Sequence, residues 1–161
     1  MSVKDFVQQR RDALIAMRRD FHMYPEPAWL EYRSAAKVAD TLISLGYDVA
    51  LGADVLDLES RMGLPSDEVM KAAMDRAIKE GANPELVEKM GYGKTAIVAT
   101  MKFGGEGPVV AFRVDMDSND VIEAKDDNHV PAKGGFRSCH DKAMHACGHD
   151  AHMTMGLGLA E

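Results

Sequence analysis

The chain has 161 residues, of which 46% are hydrophobic and 28% are charged, a composition typical of one soluble globular domain or of part of one. Its formal net charge is −7 and its basic residues are scattered, which argues against a nucleic-acid partner, because such proteins carry a basic patch. No segment approaches the roughly 20 apolar residues of a membrane span, so we predict no membrane partner.

The N-terminal segment predicts an amphipathic helix over residues 3–21. Its apolar residues recur at helical spacing and include Phe6, Ala13, Leu14, Met17 and Phe21. Charges every few residues leave no apolar core for a signal peptide, so we predict a cytoplasmic protein. Pro25 and Pro27 end this pattern, a second helix follows over about 35–42 and stops at Gly46, and "YDVAL" reads as a short strand.

Residues 55–92 are predicted to be an insertion between strands. Ser66 is a helix-capping residue, the helix continues to about Lys79, and a break at 81–84 precedes another short helical turn. The stretches "KTAIVATMKFG" and "GPVVAFRVDMD" then predict two strands. The apolar run at 109–112 is typical of a strand buried on both faces.

Three charged residues end this second strand: Arg113, Asp115 and Asp117. Because they alternate, they are expected to project from one face where the apolar run stops. Ligands of open α/β sheets bind beyond the carboxyl ends of strands, so these residues are candidates for a site. The alternative is that they are ordinary strand-end charges that pair with each other in solvent.

Residues 118–143 are polar and lack periodicity, which favours a functional loop. We expect His129 and His140, which lie in it, to be solvated. His22, at the end of the first helix, is more typical of a satisfied structural histidine than of a metal ligand.

The stretch "MHACGHDAHM", residues 144–153, carries the strongest chemical signal. His145, Cys147 and His149 alternate as in an extended segment, whereas His149 and His152 share a face if a helix begins near Gly148. Thiolate and imidazole bind zinc and its first-row neighbours. Asp150 is placed to ligate or to accept the second ring N–H of a ligating histidine. The alternative is a buried cysteine among core or surface histidines.

The second cysteine, Cys139, has only His140 beside it. A total of two cysteines favours a ligand thiol in a reducing compartment over a disulfide framework.

Three stretches together resemble the metal-dependent amidohydrolases related to aminoacylases, hippurate hydrolases and indoleacetyl-amino-acid hydrolases. They are "RRDFHMYPEPAWLEYRSAAKVADTLISLGYDV", "VVAFRVDMD" and "MHACGHDAHMTMGLGLA". The resemblance implies an α/β fold, the N-terminal part of a two-metal aminopeptidase- or carboxypeptidase-like catalytic domain spanning 1–161. It also implies a mixed sheet flanked by helices, with the lid domain expected outside these residues.

The same resemblance implies a site. Cys147 and His149 match the family's Cys-Gly-His metal ligands, and the intact enzyme would hold two divalent ions, manganese or zinc. Arg113, Asp115, Asp117, Asp150 and His152 would shape the site or contact the substrate. The catalytic glutamate is expected downstream, so this chain would hold no catalytic residue.

The predicted function is therefore metal-dependent hydrolysis of an amide bond in an N-acyl or N-aroyl amino acid of the p-aminobenzoyl-glutamate kind, by an enzyme that forms homo- or hetero-oligomers. The chain alone is expected to be inactive. The alternative is a non-catalytic module or truncated subunit in which His145, Cys147, His149 and His152 close a structural zinc site.

Overall fold

A computed structural model describes residues 2–161, which form two compact units. The first combines the N-terminal residues up to Pro27 with Val114–Glu161, and the second is Ala28–Arg113. The helices of the described residues are α1 (Val3–Met23), α2 (Tyr32–Ser44), α3 (Asp67–Lys79), α4 (Pro84–Met90), α5 (Val130–Lys133) and α6 (His149–Ala160), and the strands are β1 (Asp48–Leu51) and β2 (Ile97–Thr100). None of these helices is both long and apolar enough to cross a membrane.

The second unit is organised around α2, whose buried face packs on α3, α4 and the sheet. The predicted helix from Ser66 to about Lys79 is confirmed, with Ser66 as its capping residue, and Asn83 caps the short helix after the predicted break. The hydroxyl oxygen of Ser66 accepts the backbone N–H of Val69 at 3.4 Å, and the side chain of Asn83 accepts that of Glu85 at 3.1 Å. Both α3 and α4 therefore lie between β1 and β2, within the stretch where the sequence predicted an insertion.

The sheet in the described residues contains two strands, and they are antiparallel. Asp48 pairs with Thr100 and Leu51 with Ile97. The mixture of helices and sheet is confirmed, but the strand predicted over 109–112 is wrong, because this segment has no regular structure and Val109 is 99% exposed. A strand buried on both faces needs neighbouring strands and covering helices, and the described residues provide neither for this segment.

The first unit is built on the pairing of α1 with α6. A Cβ atom added to Gly158 would lie 3.0 Å from Cδ2 of Leu14, so the two helices approach closely. The core between them includes Phe21, Met153 and Leu157. The long loop is fastened to the end of α1 and to itself by backbone hydrogen bonds: Ser118 to Glu26, Cys139 to Met23 and Asn119 to Met144. This frame fixes where α6 begins.

Candidate metal centre

The start of α6 brings two histidines onto one face. Gly148 precedes the helix with a φ of +101°, a left-handed conformation that strains any other residue. The chain turns there, so that His149 and His152, three residues apart, lie side by side in the first turn. Their rings stack with centroids 5.2 Å apart. The predicted helix start near Gly148 is confirmed.

Asp115 faces this pair of histidines. Its Oδ2 lies 3.9 Å from Nε2 of His149 and 4.0 Å from Nδ1 of His152. Both separations are too long for hydrogen bonds. Two ligands that each lie about 2.0–2.2 Å from one ion can be up to about 4.4 Å apart, so these separations fit shared coordination. One ligand atom from each of the three residues lies within 4.8 Å of the others.

Asp117 fixes the orientation of the His149 ring. Nδ1 of His149 donates to the backbone oxygen of Asp117 at 2.8 Å and lies 3.0 Å from its carboxylate Oδ1. A histidine that carries its proton on Nδ1 presents the lone pair of Nε2, which is the atom that faces Asp115. Ligating histidines are commonly oriented in this way by a carboxylate or a backbone carbonyl. Imidazole nitrogens with a carboxylate oxygen are donors suited to a divalent first-row ion.

Two other predicted site residues, Cys147 and Arg113, are not members of this converging group. Cys147 is exposed and forms no disulfide, and its sulfur is not among the converging ligand atoms found in the described residues. Arg113 is exposed and is the last residue of the second unit. The structural zinc alternative is not supported either, because its four residues do not form one of the converging groups of ligand atoms found in the described residues.

His145 is buried without a hydrogen-bond partner for either ring nitrogen within the described residues. Burial lowers its pKa to about 4, against the raising effect of the Asp150 charge, so the ring is neutral at pH 7.

Asp150 is not part of the group formed by Asp115, His149 and His152 and is buried against α1. Its Oδ2 accepts hydrogen bonds from Nδ1 of His22 at 2.7 Å and from Nε of Arg18 at 2.9 Å. The other ring nitrogen of His22, Nε2, donates to Oε1 of Glu123 at 2.9 Å. Ionised carboxylates only accept hydrogen bonds, so His22 carries both ring protons between them.

Glu123 extends this network into the loop. Its Oε1 also pairs with Nε2 of His129 at 2.7 Å, and its Oε2 accepts the backbone N–H of Ser138 at 2.5 Å. The side chains of Glu123 and Asp150 are fully buried and that of His22 is 2% exposed. We call the buried side chains of His22, Glu123 and Asp150, together with their less buried partners Arg18 and His129, the buried network.

Hydrogen bonding outweighs burial in setting the protonation of His22, Glu123 and Asp150. Burial alone would lower the pKa of His22, but its bonds to Asp150 and Glu123 raise it. Burial alone would raise the pKa of both carboxyls. Bonds from His22 and His129 lower the pKa of Glu123, and the bond from His22 with the charge of Arg18 lowers that of Asp150. These shifts favour the ion pairs of His22 with Asp150 and with Glu123.

The structure corrects two expectations about the loop histidines. His129 pairs with Glu123, and Nδ1 of His140 lies 2.7 Å from the backbone oxygen of Pro25, so neither is simply solvated. The interpretation of His22 as a structural histidine agrees with its contacts. The role of Glu123 was missed, because one glutamate in a polar loop carries no local signal of burial.

No family model matches the chain. It is homologous to a protein of Escherichia coli that is named as one subunit of p-aminobenzoyl-glutamate hydrolase, with 46% identity over 99% of this chain and 36% of that protein. Indole-3-acetyl-aspartic acid hydrolase of Enterobacter agglomerans is 45% identical over 98% of this chain and 36% of its own length. The crystal structure of an aminobenzoyl-glutamate utilization protein from Klebsiella pneumoniae matches with a TM-score of 0.78 and 38% identity, covering 99% of this chain and 34% of that one.

Among the amidohydrolases that the sequence resembles, two stretches are most similar to this p-aminobenzoyl-glutamate hydrolase subunit: "DVLDLESRMGLP" and "GFRSCHDKAMHACGHDAH". The homologues confirm this interpretation. The chain spans about a third of the length of these curated relatives.

Proposed function

We propose that this chain contributes metal ligands to a hydrolase that cleaves the amide bond of N-acyl or N-aroyl amino acids. The observation that carries the proposal is the convergence of Asp115, His149 and His152 in a chain whose homologues are named as hydrolases of p-aminobenzoyl-glutamate and of indole-3-acetyl-aspartic acid. The substrate class proposed here is accordingly an aromatic acyl group joined to an acidic amino acid.

The metal proposed is manganese or zinc, as one ion of a two-ion site in the intact enzyme. His149 is proposed as a ligand through Nε2, with Asp115 and His152 beside it. Cys147, an exposed thiol two residues before His149, is proposed as a further ligand because Cys147 and His149 match the Cys-Gly-His metal ligands of the family that the sequence resembles. When bound, such ions lower the pKa of a coordinated water and polarise the scissile carbonyl.

The general base is proposed to come from the part of the relatives that this chain does not match. Glu123 is fully buried and already accepts hydrogen bonds from His22, His129 and Ser138, so it is not placed to take a proton from water. The proposed work of this chain is therefore to hold and orient ligands. The E. coli relative is named as one subunit of its hydrolase, which supports an assembly of more than one subunit for the intact enzyme.

A chimera tests this function directly. The matched third of the E. coli relative would be replaced by this chain, and hydrolysis of p-aminobenzoyl-glutamate would be followed with added manganese or zinc. We expect metal-dependent turnover that His149→Ala abolishes. Asp120→Asn is the matched control for Asp115→Asn, because both remove a nearby carboxylate but Asp120 is exposed and outside the cluster. Full activity in His149→Ala, or a folded chimera that binds metal without turning over any N-acyl amino acid, would contradict the proposal.

A further inference from the structure

The first turn of α6 presents two kinds of side chain in different directions. His149 and His152 face Asp115, whereas Asp150, between them in sequence, is buried against α1. We infer that Asp150, held by Arg18 and His22, is a positioning residue that fixes the two histidines for metal binding. The inference rests on the proposed metal role of His149 and His152.

Both oxygens of Asp150 are engaged, so its side chain cannot rotate without losing bonds. Oδ2 accepts from Arg18 at 2.9 Å and from His22 at 2.7 Å, and Oδ1 accepts the backbone N–H of Ala151 at 2.8 Å. Arg18 and His22 are four residues apart and therefore share one face of α1. The start of α6 is thereby tied to a rigid helix by two charged donors. A rotation of this turn that moved the histidines away from Asp115 would break both bonds.

His22, which holds Asp150, is itself held by a second carboxylate. His22 uses its remaining ring proton on Glu123, and Glu123 accepts the backbone N–H of Ser138. The position of Asp150 is consequently fixed relative to both α1 and the loop. Partners outside the first ligand shell that orient metal ligands commonly change metal affinity by about 10–100-fold when they are mutated.

The chain offers an internal control for simple helix pairing. Arg10 on α1 forms an ion pair with Glu161, the residue that follows the other end of α6. This pair joins the same two helices as the Arg18–Asp150 pair, but it lies far along α6 from the histidines. A purely structural role predicts similar consequences for the two pairs, whereas positioning predicts an effect on metal binding only for Arg18–Asp150.

The test is a Co²⁺ titration of the full chain, followed by visible absorption, which reports both the affinity and the coordination geometry. Arg18→Gln, His22→Gln and Asp150→Asn are compared with Arg10→Gln, and the thermal unfolding of every variant is recorded by circular dichroism. We expect Co²⁺ binding to weaken about 10–100-fold with an altered absorption band in the first three variants. Arg10→Gln should keep the parent's affinity and spectrum even if its melting temperature falls.

The outcomes separate this inference from the proposed function. If the parent binds no Co²⁺, the proposed metal centre fails, and the inference fails with it. If the parent binds Co²⁺ and Arg18→Gln and Asp150→Asn bind it equally well with the same spectrum, only the inference is overturned. The inference is also overturned if Arg10→Gln loses as much Co²⁺ affinity per degree of lowered melting temperature as the other three variants do. Should Asp150→Asn not fold, Arg18→Gln decides the test, because the Arg18 side chain is 38% exposed and its loss is better tolerated.

Discussion

Replacing Glu123 by glutamine probes the buried network with almost no change in side-chain volume. Glu123 accepts three hydrogen bonds, from His22, His129 and the backbone N–H of Ser138. A glutamine keeps one acceptor oxygen but places an N–H₂ group where Oε2 was. Two donors then face each other at Ser138, and the imidazolium of His22 loses one of its two counter-charges.

The expected cost is about 3 kcal/mol. A buried donor left without an acceptor costs about 1–3 kcal/mol, and each charge-assisted bond that becomes neutral loses about 1 kcal/mol. The sum agrees with the low end of the range of about 3–5 kcal/mol for breaking a buried ion pair. In a chain of this size each kcal/mol lowers the melting temperature by about 2–4 °C, so we expect a fall of about 6–12 °C.

The difference between the parent and Glu123→Gln should depend on pH. The pKa of Glu123 is lowered from its ordinary value of 4.5, so its stabilisation is present above 4.5 and is lost as the pH falls through the lowered pKa. The pKa of His22 is raised from 6.5, so its stabilisation is present below 6.5 and is lost as the pH rises through the raised pKa. The difference is therefore largest between pH 4.5 and 6.5.

Thermal and urea unfolding, followed by far-ultraviolet circular dichroism inside, below and above this window, measure the effect. Glu106→Gln is the matched control, because Glu106 is exposed in an irregular segment. A loss below about 1 kcal/mol, the scale of one ordinary hydrogen bond, would refute the ion-pair reasoning. So would a loss that is the same at every pH.

Three further predictions concern the metal centre. Gly148→Ala should lower stability by roughly 1–2 kcal/mol, because alanine is strained at a φ of +101°, and a melting temperature equal to the parent's would contradict this. Zinc affinity measured by titration calorimetry should fall as the pH drops, since histidine and thiolate ligands must be deprotonated to bind. A Cys147→Ser, His149→Ala double variant that binds zinc as tightly as the parent would overturn the assignment of these two residues as ligands. The 161-residue chain alone, assayed with manganese or zinc, should not hydrolyse p-aminobenzoyl-glutamate or N-acetyl amino acids. The reason is that the general base, which contributes about 10²–10⁴-fold to the rate, is expected outside these residues. Turnover that His149→Ala abolishes would contradict this and place the whole catalytic set within the chain.

The helix boundaries could be read from the sequence because the signals that set them are local. Ser66 and Asn83 cap their helices through contacts with residues two or three positions away. Gly148 adopts a positive φ without strain because it has no side chain. The resemblance of the chain to amidohydrolases was likewise available from contiguous stretches. Local patterns misled at residues 109–112, because an apolar run specifies a strand only if other strands and helices cover it.

The nomination of a metal centre at residues 145–152 also came from the sequence, because histidine and cysteine are crowded there. The sequence did not decide which of these side chains converge. The tertiary structure joins His149 and His152 to Asp115, whereas His145 is buried and Cys147 is exposed.

The buried network lies wholly beyond sequence reasoning. His22 is 128 residues from Asp150 and 101 residues from Glu123 along the chain, and no spacing rule connects positions so far apart. Sequence determines which residues carry charge and where helices begin, because these depend on side-chain chemistry and on neighbours within one turn. Only the packing of α1 against α6 and of the loop against both decided that these three groups are desolvated together, and desolvation is what turns separate charges into a single ion-paired network.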